Sequence, residues 1–299
     1  MDELPQSLKE SIETIFRKKI TKWIKPDFGL SSTYRFSITF EDLNRVFVKA
    51  ATDAETTQWL KTEYKILSSL NIDFIPKIIK WIETPSNYPI LIMEDLSEAY
   101  WPANKNGVKW RKKHIPILIE KIKEISNINS IPALPHLKNK NYSVWESIAV
   151  NPENFLKLKC CSKNWLQENI EYLIRAEKSS DITGENFIHG DIRSDNICFL
   201  GSEPKFVDWS NSCIGNKNFD LINFLPTLYL EGGPNPYENL SDAGNEVVSL
   251  CGSHIERLKN KNLPYWLKNV FRKLIIIELE WSAKSIGIDK PDGINWKSF

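Results

Sequence analysis

The chain has 299 residues, 41 % hydrophobic and 26 % charged, with a formal net charge of +1 at pH 7. This composition is typical of a globular protein that buries a core, and the balanced charge argues against nucleic-acid binding, which needs a basic excess or stripe. No apolar run approaches the ~18 residues of a membrane helix, and the N-terminus is acidic where a signal peptide is basic. Five cysteines without CxxC spacing argue against a disulfide framework or a zinc site. We therefore expect a cytoplasmic protein without a membrane or nucleic-acid partner.

The first elements in the chain are a helix and two strands. Residues 5–24 carry apolar side chains at near-helical spacing, which predicts one amphipathic helix. Residues 33–40 alternate between apolar and polar side chains, which predicts a strand, and residues 45–50 return as a second strand. Lys49 interrupts this apolar second strand. It is either an edge lysine that points into water or a lysine with a function.

A predicted helix at residues 54–70 bears on that choice. Asp53 can cap its N-terminus, and Glu63 falls on its apolar stripe, three residues after Leu60 and four before Leu67. A carboxylate that faces a core must be paired or neutralised. The strand residue Lys49 is the obvious partner, so the periodicity predicts a Lys49–Glu63 ion pair.

The remaining chain is read as two more strands followed by helices. The strands lie near residues 78–83 and 90–93, joined by a Thr-Pro-Ser-Asn turn, and a loop occupies residues 97–108. Beyond it the pattern becomes mainly helical. Helices are predicted near 110–128, 142–158, 163–178, 219–230, 240–260 and 264–286.

The most informative stretch is 187–211, which reads as a hairpin with polar edges. Its strands are predicted at Ile197–Leu200 and Phe206–Val207, with a turn at Gly201–Pro204. Asp191 and Asn196 precede the first strand, and Asp208 ends the second. The hairpin brings these oxygen-bearing side chains towards one end, where they suit a hard cation such as Mg²⁺.

The spacing of these residues is that of kinase phosphoryl transfer: His-x-Asp, four residues, Asn, and then a strand that ends in Asp. The run His189-Gly190-Asp191-Ile-Arg-Ser-Asp-Asn196, with Val-Asp208-Trp and Asp220-Leu, resembles the aminoglycoside phosphotransferase family. This family is the small-molecule branch of the protein-kinase-like fold. Gly after the His and Trp after the second Asp both favour that branch over the protein kinases.

The resemblance implies an α+β, bilobal protein-kinase-like fold. An N-lobe at residues 1–95 would hold an antiparallel sheet and one helix, and a mainly helical C-lobe at residues 96–299 would carry the catalytic hairpin. Bound ATP or GTP would have its α/β-phosphates contacted by Lys49, which Glu63 orients. The other implied roles are Asp191 as acceptor of the hydroxyl proton, Asn196 and Asp208 as Mg²⁺ ligands, and His189 and Asp220 as structural support.

Two nucleotide contacts are less distinctive in the sequence. The chain has no GxGxxG loop, only Gly29-Leu-Ser-Ser-Thr33, where Ser31 and Ser32 could supply donors to the phosphates. By resemblance, Met93, Glu94, Asp95 and Leu96 form a hinge whose backbone reads the edge of the base. The alternative is that this segment is simply the end of a strand.

The acceptor is the open question. Glu278 lies on the inward stripe of the last long helix, three residues before Trp281, which would suit a cationic acceptor by charge pairing and cation–π contact. The alternative is a structural Glu paired with a neighbouring Arg or Lys. We expect an ATP-dependent kinase that phosphorylates a hydroxyl of an aminoglycoside or related antibiotic. A metabolic kinase of the choline, sugar or homoserine type and a non-catalytic nucleotide-binding pseudokinase are the alternatives, and the oligomeric state stays open.

Overall fold

The computed structural model describes residues 3–26, 32–84, 87–129, 133–139 and 143–298. The chain divides into two compact units: residues 1–121, 128–134 and 189–212 form the first, and residues 122–127, 135–188 and 213–299 form the second. The strands are β1 (Ile20–Ile24), β2 (Tyr34–Phe40), β3 (Arg45–Ala50), β4 (Ile78–Thr84), β5 (Asn87–Glu94), β6 (Ala103–Asn104), β7 (Gly107–Val108), β8 (Asn186–Ile188), β9 (Ile197–Leu200), β10 (Glu203–Phe206) and β11 (Cys213–Gly215). The α-helices are α1 (Gln6–Phe16), α2 (Ala54–Ser69), α3 (Ile115–Ser126), α4 (Val144–Val150), α5 (Glu153–Leu156), α6 (Lys163–Ser179), α7 (Phe219–Leu230), α8 (Pro236–Asn239), α9 (Gly244–Leu258) and α10 (Tyr265–Ile286).

The first unit is built on a five-stranded antiparallel sheet in the order β1-β2-β3-β5-β4. Alternation along β2 buries Phe36, Ile38 and Phe40, which pack with Leu8 and Ile12 of α1. Side chains of alternate residues project from opposite faces of a strand, so the opposite face of the sheet carries the polar residues of β2 and β3, including Lys49.

The N-terminal segment differs from the predicted single helix at residues 5–24. Helix α1 ends at Phe16, the next residue Arg17 adopts a left-handed backbone (φ 53°), and β1 follows. Strand β1 pairs with β2, with Trp23 opposite Ile38. The spacing of Ile20 and Trp23 fits a helix, but the sheet edge supplied by β2 satisfies the backbone of β1, and this tertiary pairing is not visible in the local pattern.

Helix α2 begins with a capping box, in which the Asp53 side chain accepts from the backbone N–H of Thr56 and Thr56 Oγ1 accepts from the backbone N–H of Asp53. Its buried stripe includes Leu60, Glu63 and Leu67, as the sequence predicts. The carboxylate of Glu63 therefore faces the interior of the first unit.

The hairpin of the first unit is tighter than predicted. Strands β9 and β10 pair with Leu200 opposite Glu203, so the turn consists of Gly201 and Ser202 alone. Gly201 has a φ of +65°, the left-handed conformation that two-residue hairpin turns require. The predicted four-residue turn was wrong because Glu203 and Pro204 join the ladder.

The second unit is mainly helical. Helices α9 and α10 pack together, and their core includes Val248, Cys251, Ile275 and Leu279. The single helix predicted at residues 142–158 is two helices, α4 and α5, separated by Asn151 and Pro152, because proline lacks the N–H that a helix interior needs. No helix within the described residues is long and apolar enough to cross a membrane.

Candidate active site

The centre of the site is a buried lysine with two acidic partners, all within the first unit. Lys49 Nζ on β3 donates to both carboxylate oxygens of Glu63 on α2, at 2.8 Å each, and lies 3.3 Å from Asp208 Oδ1. The side chains of Lys49 and Glu63 are only 9 % and 2 % exposed. The predicted ion pair is present, and it joins the strand, the helix and the end of the hairpin.

Electrostatics set the charges of Lys49 and Asp208. Burial by itself lowers the pKa of Lys49, but Asp208 and Glu63 outweigh burial and raise the pKa above its usual value. The ammonium of Lys49 in turn lowers the pKa of Asp208 to about 2. Asp208 is therefore a carboxylate at neutral pH, and Lys49 is a fixed positive charge beside it.

Asp208 has an unusual backbone. It adopts a left-handed conformation with φ 66° and ψ 62°, which costs of order 1–3 kcal/mol for a residue other than glycine. The conformation is held from both sides, because Val207 donates to the carbonyl of Asn196 and Ser210 Oγ donates to Asp208 Oδ1. The strained backbone aims the carboxylate at Lys49.

Asp191 and Asn196 lie in the loop before β9 and contact each other. Asn196 Nδ2 donates to the backbone carbonyl of Asp191 at 2.9 Å and to Asp191 Oδ2 at 3.2 Å. Burial raises the pKa of Asp191, while Arg193 lowers it and Asp208 raises it further. A carboxylate with a raised pKa is a better proton acceptor than an exposed one, which suits a general base.

The neutral ring of His189 stabilises this loop through two hydrogen bonds. Its Nδ1 accepts from the backbone N–H of Asp191 at 3.3 Å, so Nε2 carries the proton and donates to the carbonyl of Val207 at 3.1 Å. Burial lowers the pKa of His189 to about 4. The ring also packs on Trp209, with centroids 4.4 Å apart.

Glycine at position 190 allows the loop to approach the backbone of Asn211 closely. Its φ is +83°, and a Cβ at this position would lie 2.4 Å from the carbonyl oxygen of Asn211. Any larger residue would push the loop away from the segment that follows Asp208.

The donor atoms fit Mg²⁺ that is shared with phosphates. Asn196 presents its amide nitrogen to Asp191, so its amide oxygen is the atom that a metal ion would take, together with the carboxylate of Asp208. Among the described residues no group of three His, Cys, Asp or Glu side chains forms a metal site. Mg²⁺ commonly takes one or two protein oxygens, with waters and phosphates as its other ligands, and this donor set matches that pattern.

Sequence reasoning missed Arg193, which lies on the same loop. Its Nε lies 3.4 Å from Asp191 Oδ1, and its guanidinium also pairs with Asp195 at 3.1 Å. Arg193 follows Asp191 by two residues, so the charge alternation Asp-x-Arg-x-Asp could have indicated it.

The predicted hinge at 93–96 is fastened by side chains. Glu94 Oε1 accepts from Lys205 Nζ at 3.1 Å and from the backbone N–H of Lys77 at 2.9 Å. Asp95 accepts from Ser37, and the carbonyl of Leu96 accepts from Trp101 Nε1 at 2.9 Å. Met93 is buried and lies opposite Phe47 in the ladder of β3 and β5. The sequence did not indicate Lys205, whose buried ammonium also donates to the carbonyl of Ile75.

The other predicted residues are placed as follows. Ser31 lies outside the described residues, and the carbonyl of Ser32 accepts from Thr52 Oγ1 at 3.2 Å. In the second unit, Asp220 is buried in the first turn of α7. Glu278 is buried on α10, and its two carboxylate oxygens lie 2.9 and 3.0 Å from His254 Nδ1. Its partner is thus a histidine of α9, where the structural alternative had named Arg or Lys.

Trp281 lines a cavity of about 250 Å³ in the second unit. Its Nε1 donates to the carbonyl of Leu240 at 2.9 Å, so the ring is held in place. The cavity is also lined by Tyr237, Glu280 and Lys284, and Lys284 Nζ lies 4.0 Å from the centroid of Tyr237.

Comparisons with known proteins give the family and the fold. Residues 30–250 match the phosphotransferase enzyme family. No curated protein sequence matches the chain.

Solved structures with the same fold cover nearly the whole chain. An aminoglycoside phosphotransferase from Alicyclobacillus acidocaldarius has a TM-score of 0.54 at 9 % identity, covering 96 % of each chain. The ADP-bound aminoglycoside phosphotransferase APH(2'')-Ib has a TM-score of 0.51 at 14 % identity, covering 93 % of this chain and 99 % of its own. The macrolide 2'-phosphotransferase MphH from Brachybacterium faecium has a TM-score of 0.50 at 10 % identity, covering 91 % and 98 %. These similarities confirm the predicted α+β protein-kinase-like fold.

Proposed function

The chain belongs to the phosphotransferase enzyme family and is a small-molecule kinase that acts on hydroxyl groups, and on that premise we propose that it transfers the γ-phosphoryl group of ATP to an aminoglycoside or a related antibiotic. The observation that carries the donor half of this proposal is the buried Lys49–Glu63 pair beside the ionised Asp208. Phosphoryl transfer depends mainly on positioning and charge stabilisation, and these groups supply both.

In the proposed reaction Lys49 binds the α/β-phosphates, with Glu63 fixing its direction. Asn196 and Asp208 would hold Mg²⁺, which would neutralise phosphate charge when bound. Asp191 accepts the proton of the acceptor hydroxyl. The hydrogen bond of 3.2 Å from Asn196 Nδ2 orients the carboxylate of Asp191. The hinge backbone at 93–96 binds the base, for which ATP and GTP are both candidates. His189 keeps the loop in place, and Asp220 is proposed as structural support in the first turn of α7.

The acceptor is proposed from the class of the related folds. The structures of similar fold are named as aminoglycoside and macrolide phosphotransferases, which supports an antibiotic acceptor. Trp281 is the candidate contact for a ring substituent of the acceptor, because Glu280 of the same cavity already pairs with Lys290 at 3.4 Å and Glu278 is buried against His254.

We also propose a cytoplasmic location, because all five cysteines are free thiols, as suits a reducing compartment.

A screen with γ-labelled ATP and Mg²⁺ tests the proposal. The purified protein is offered aminoglycosides, macrolides, choline, sugars and homoserine, and labelled product is measured for the wild type and for Asp191→Ala. We expect transfer to an aminoglycoside or macrolide, lost in Asp191→Ala although that variant still binds ATP. Transfer only to a metabolic alcohol would replace the antibiotic assignment. Nucleotide binding without any transfer would favour the pseudokinase.

A further inference from the structure

Arg35 lies directly opposite Lys49 in the ladder of β2 and β3. Residues that face each other across an antiparallel pair project from the same face of the sheet, with Cβ atoms about 4.5–5.5 Å apart. The sheet therefore presents two cations side by side on the face that carries the candidate site. Like charges in this arrangement are destabilising unless anions lie close by.

The anions around Arg35 are those of the candidate site. Burial lowers the pKa of Arg35, while Asp208, Glu63 and Asp195 raise it through their charges. The guanidinium is only partly exposed and stays charged at any working pH. Both carboxylate oxygens of Glu63 already accept hydrogen bonds from Lys49. Among the anions that act on Arg35, Asp208 has the largest effect, and it also belongs to the proposed metal site.

The sequence before Arg35 lacks the usual glycine-rich pattern. Between β1 and β2 it has one glycine, Gly29, and no GxGxxG, so the fingerprint of a glycine-rich phosphate-binding loop is absent. A guanidinium carries five N–H donors in a planar fork that matches phosphate oxygens. Arg35 stands near the start of β2, one strand away from Lys49, where such donors would be needed.

We propose that Arg35 is a second phosphate-binding cation, which contacts the donor nucleotide beside Lys49 in place of a glycine-rich loop. This inference rests on the proposed function, because it requires a nucleoside triphosphate at Lys49. It adds a specificity element: affinity should depend steeply on the number of phosphates.

Binding calorimetry with adenosine, ADP and ATP in the presence of Mg²⁺ tests the inference. The variants are Arg35→Ala, Arg35→Gln and Arg35→Lys. The control is Arg45→Ala, since Arg45 lies on the same face of β3, four residues before Lys49, but pairs with Glu98. Circular dichroism checks the fold of each variant, and if Arg35→Ala does not fold, Arg35→Gln, which keeps a polar side chain without the charge, replaces it.

We expect Arg35→Ala to weaken ATP binding by about tenfold or more, the loss typical of a hydrogen bond to a charged group. ADP binding should weaken less, adenosine binding should be unchanged, Arg35→Lys should fall between Arg35→Ala and wild type, and Arg45→Ala should match wild type. Equal losses for adenosine and ATP would mean a structural role and would overturn the inference. So would ATP binding at wild-type strength in Arg35→Ala. If the wild type itself binds no ATP, the proposed function fails together with the inference.

Discussion

Lys49 and Glu63 form a buried, bidentate ion pair in which the ammonium donates to both carboxylate oxygens at 2.8 Å. The pair connects β3 to α2, and Lys49 extends the connection to Asp208 at 3.3 Å. The ammonium of Lys49 thus contacts both α2 and the residue that follows the hairpin of the first unit.

Replacing Glu63 by Gln should destabilise the protein strongly. The change leaves Lys49 buried with half of its countercharge removed, and breaking a buried pair from one side costs about 3–5 kcal/mol. Urea denaturation would measure the free energy of unfolding. Glu83→Gln is the matched control: its partner Lys61 lies 2.6 Å away, but the two side chains are 42 % and 44 % exposed, so little stability should be lost. Similar losses in both variants would contradict the special role of the buried pair.

Asp208→Ala should raise the Mg²⁺ concentration needed for ATP binding and weaken ATP itself. The carboxylate is ionised, with its pKa lowered to about 2 by Lys49, so its removal takes away a full negative charge from the proposed metal site. A Mg²⁺ titration of ATP affinity measures the effect. Asp42→Ala, which removes an exposed carboxylate paired with Lys18, should leave the titration unchanged. An unaltered titration in Asp208→Ala would remove Asp208 from the metal site.

The sequence predicts those contacts that depend on local periodicity. The position of Glu63 on the stripe of α2 and the interruption of β3 by Lys49 were each visible in a few residues, and both lie where the patterns indicate. Asp191, Asn196 and Asp208 fall within one hairpin, so their order in the chain nearly determines their neighbourhood. Their roles in binding and transfer remain proposals.

Contacts that depend on tertiary pairing were missed. Strand β1 resembles a helix until the edge of β2 is known, and Arg35 is an ordinary polar residue of an alternating strand until the register places it opposite Lys49. Lys205 is similar: only the fold brings its ammonium to Glu94 and to the carbonyl of Ile75. Charged residues on strands are ambiguous in a sequence, because either face can be the solvated one.

Gly190→Ala should destabilise the loop that carries Asp191. The new Cβ would meet the carbonyl oxygen of Asn211 at 2.4 Å, and the φ of +83° is itself unfavourable for alanine. We expect a loss of about 1–3 kcal/mol in the free energy of unfolding, together with reduced phosphoryl transfer. Gly201→Ala is the control, since Gly201 also has a positive φ (+65°) but nothing lies within 4 Å of its Cβ position. If both variants lose the same stability, backbone strain alone accounts for the effect and the close approach does not matter.

Burial of His189 should make stability depend on pH. Its pKa in the folded protein is about 4, below the ordinary value of about 6.5, so the unfolded chain binds the proton more readily. The contribution of the neutral ring is therefore fully present above about pH 6.5 and declines as the pH falls towards about 4, by about 3 kcal/mol in all. Urea midpoints at about pH 7 and about pH 4.5 should lie closer together in His189→Gln than in wild type. His136→Gln removes an exposed histidine and should keep the wild-type difference, and a wild-type difference in His189→Gln would contradict the assignment.

Arg193→Ala should shift the pH dependence of phosphoryl transfer. Burial raises the pKa of Asp191, and Arg193, 3.4 Å away, counteracts this by favouring the carboxylate. Without the guanidinium the pKa of Asp191 rises further, so a higher pH is needed to keep the base deprotonated. The acidic limb of kcat/KM, measured from about pH 5 to about pH 9 with an acceptor from the screen, should therefore move to higher pH. Arg193→Lys keeps the positive charge and should shift the limb less, whereas Arg45→Ala should not move it. An acidic limb that coincides in Arg193→Ala and wild type would show that Arg193 does not tune the base, even if the maximal rate falls.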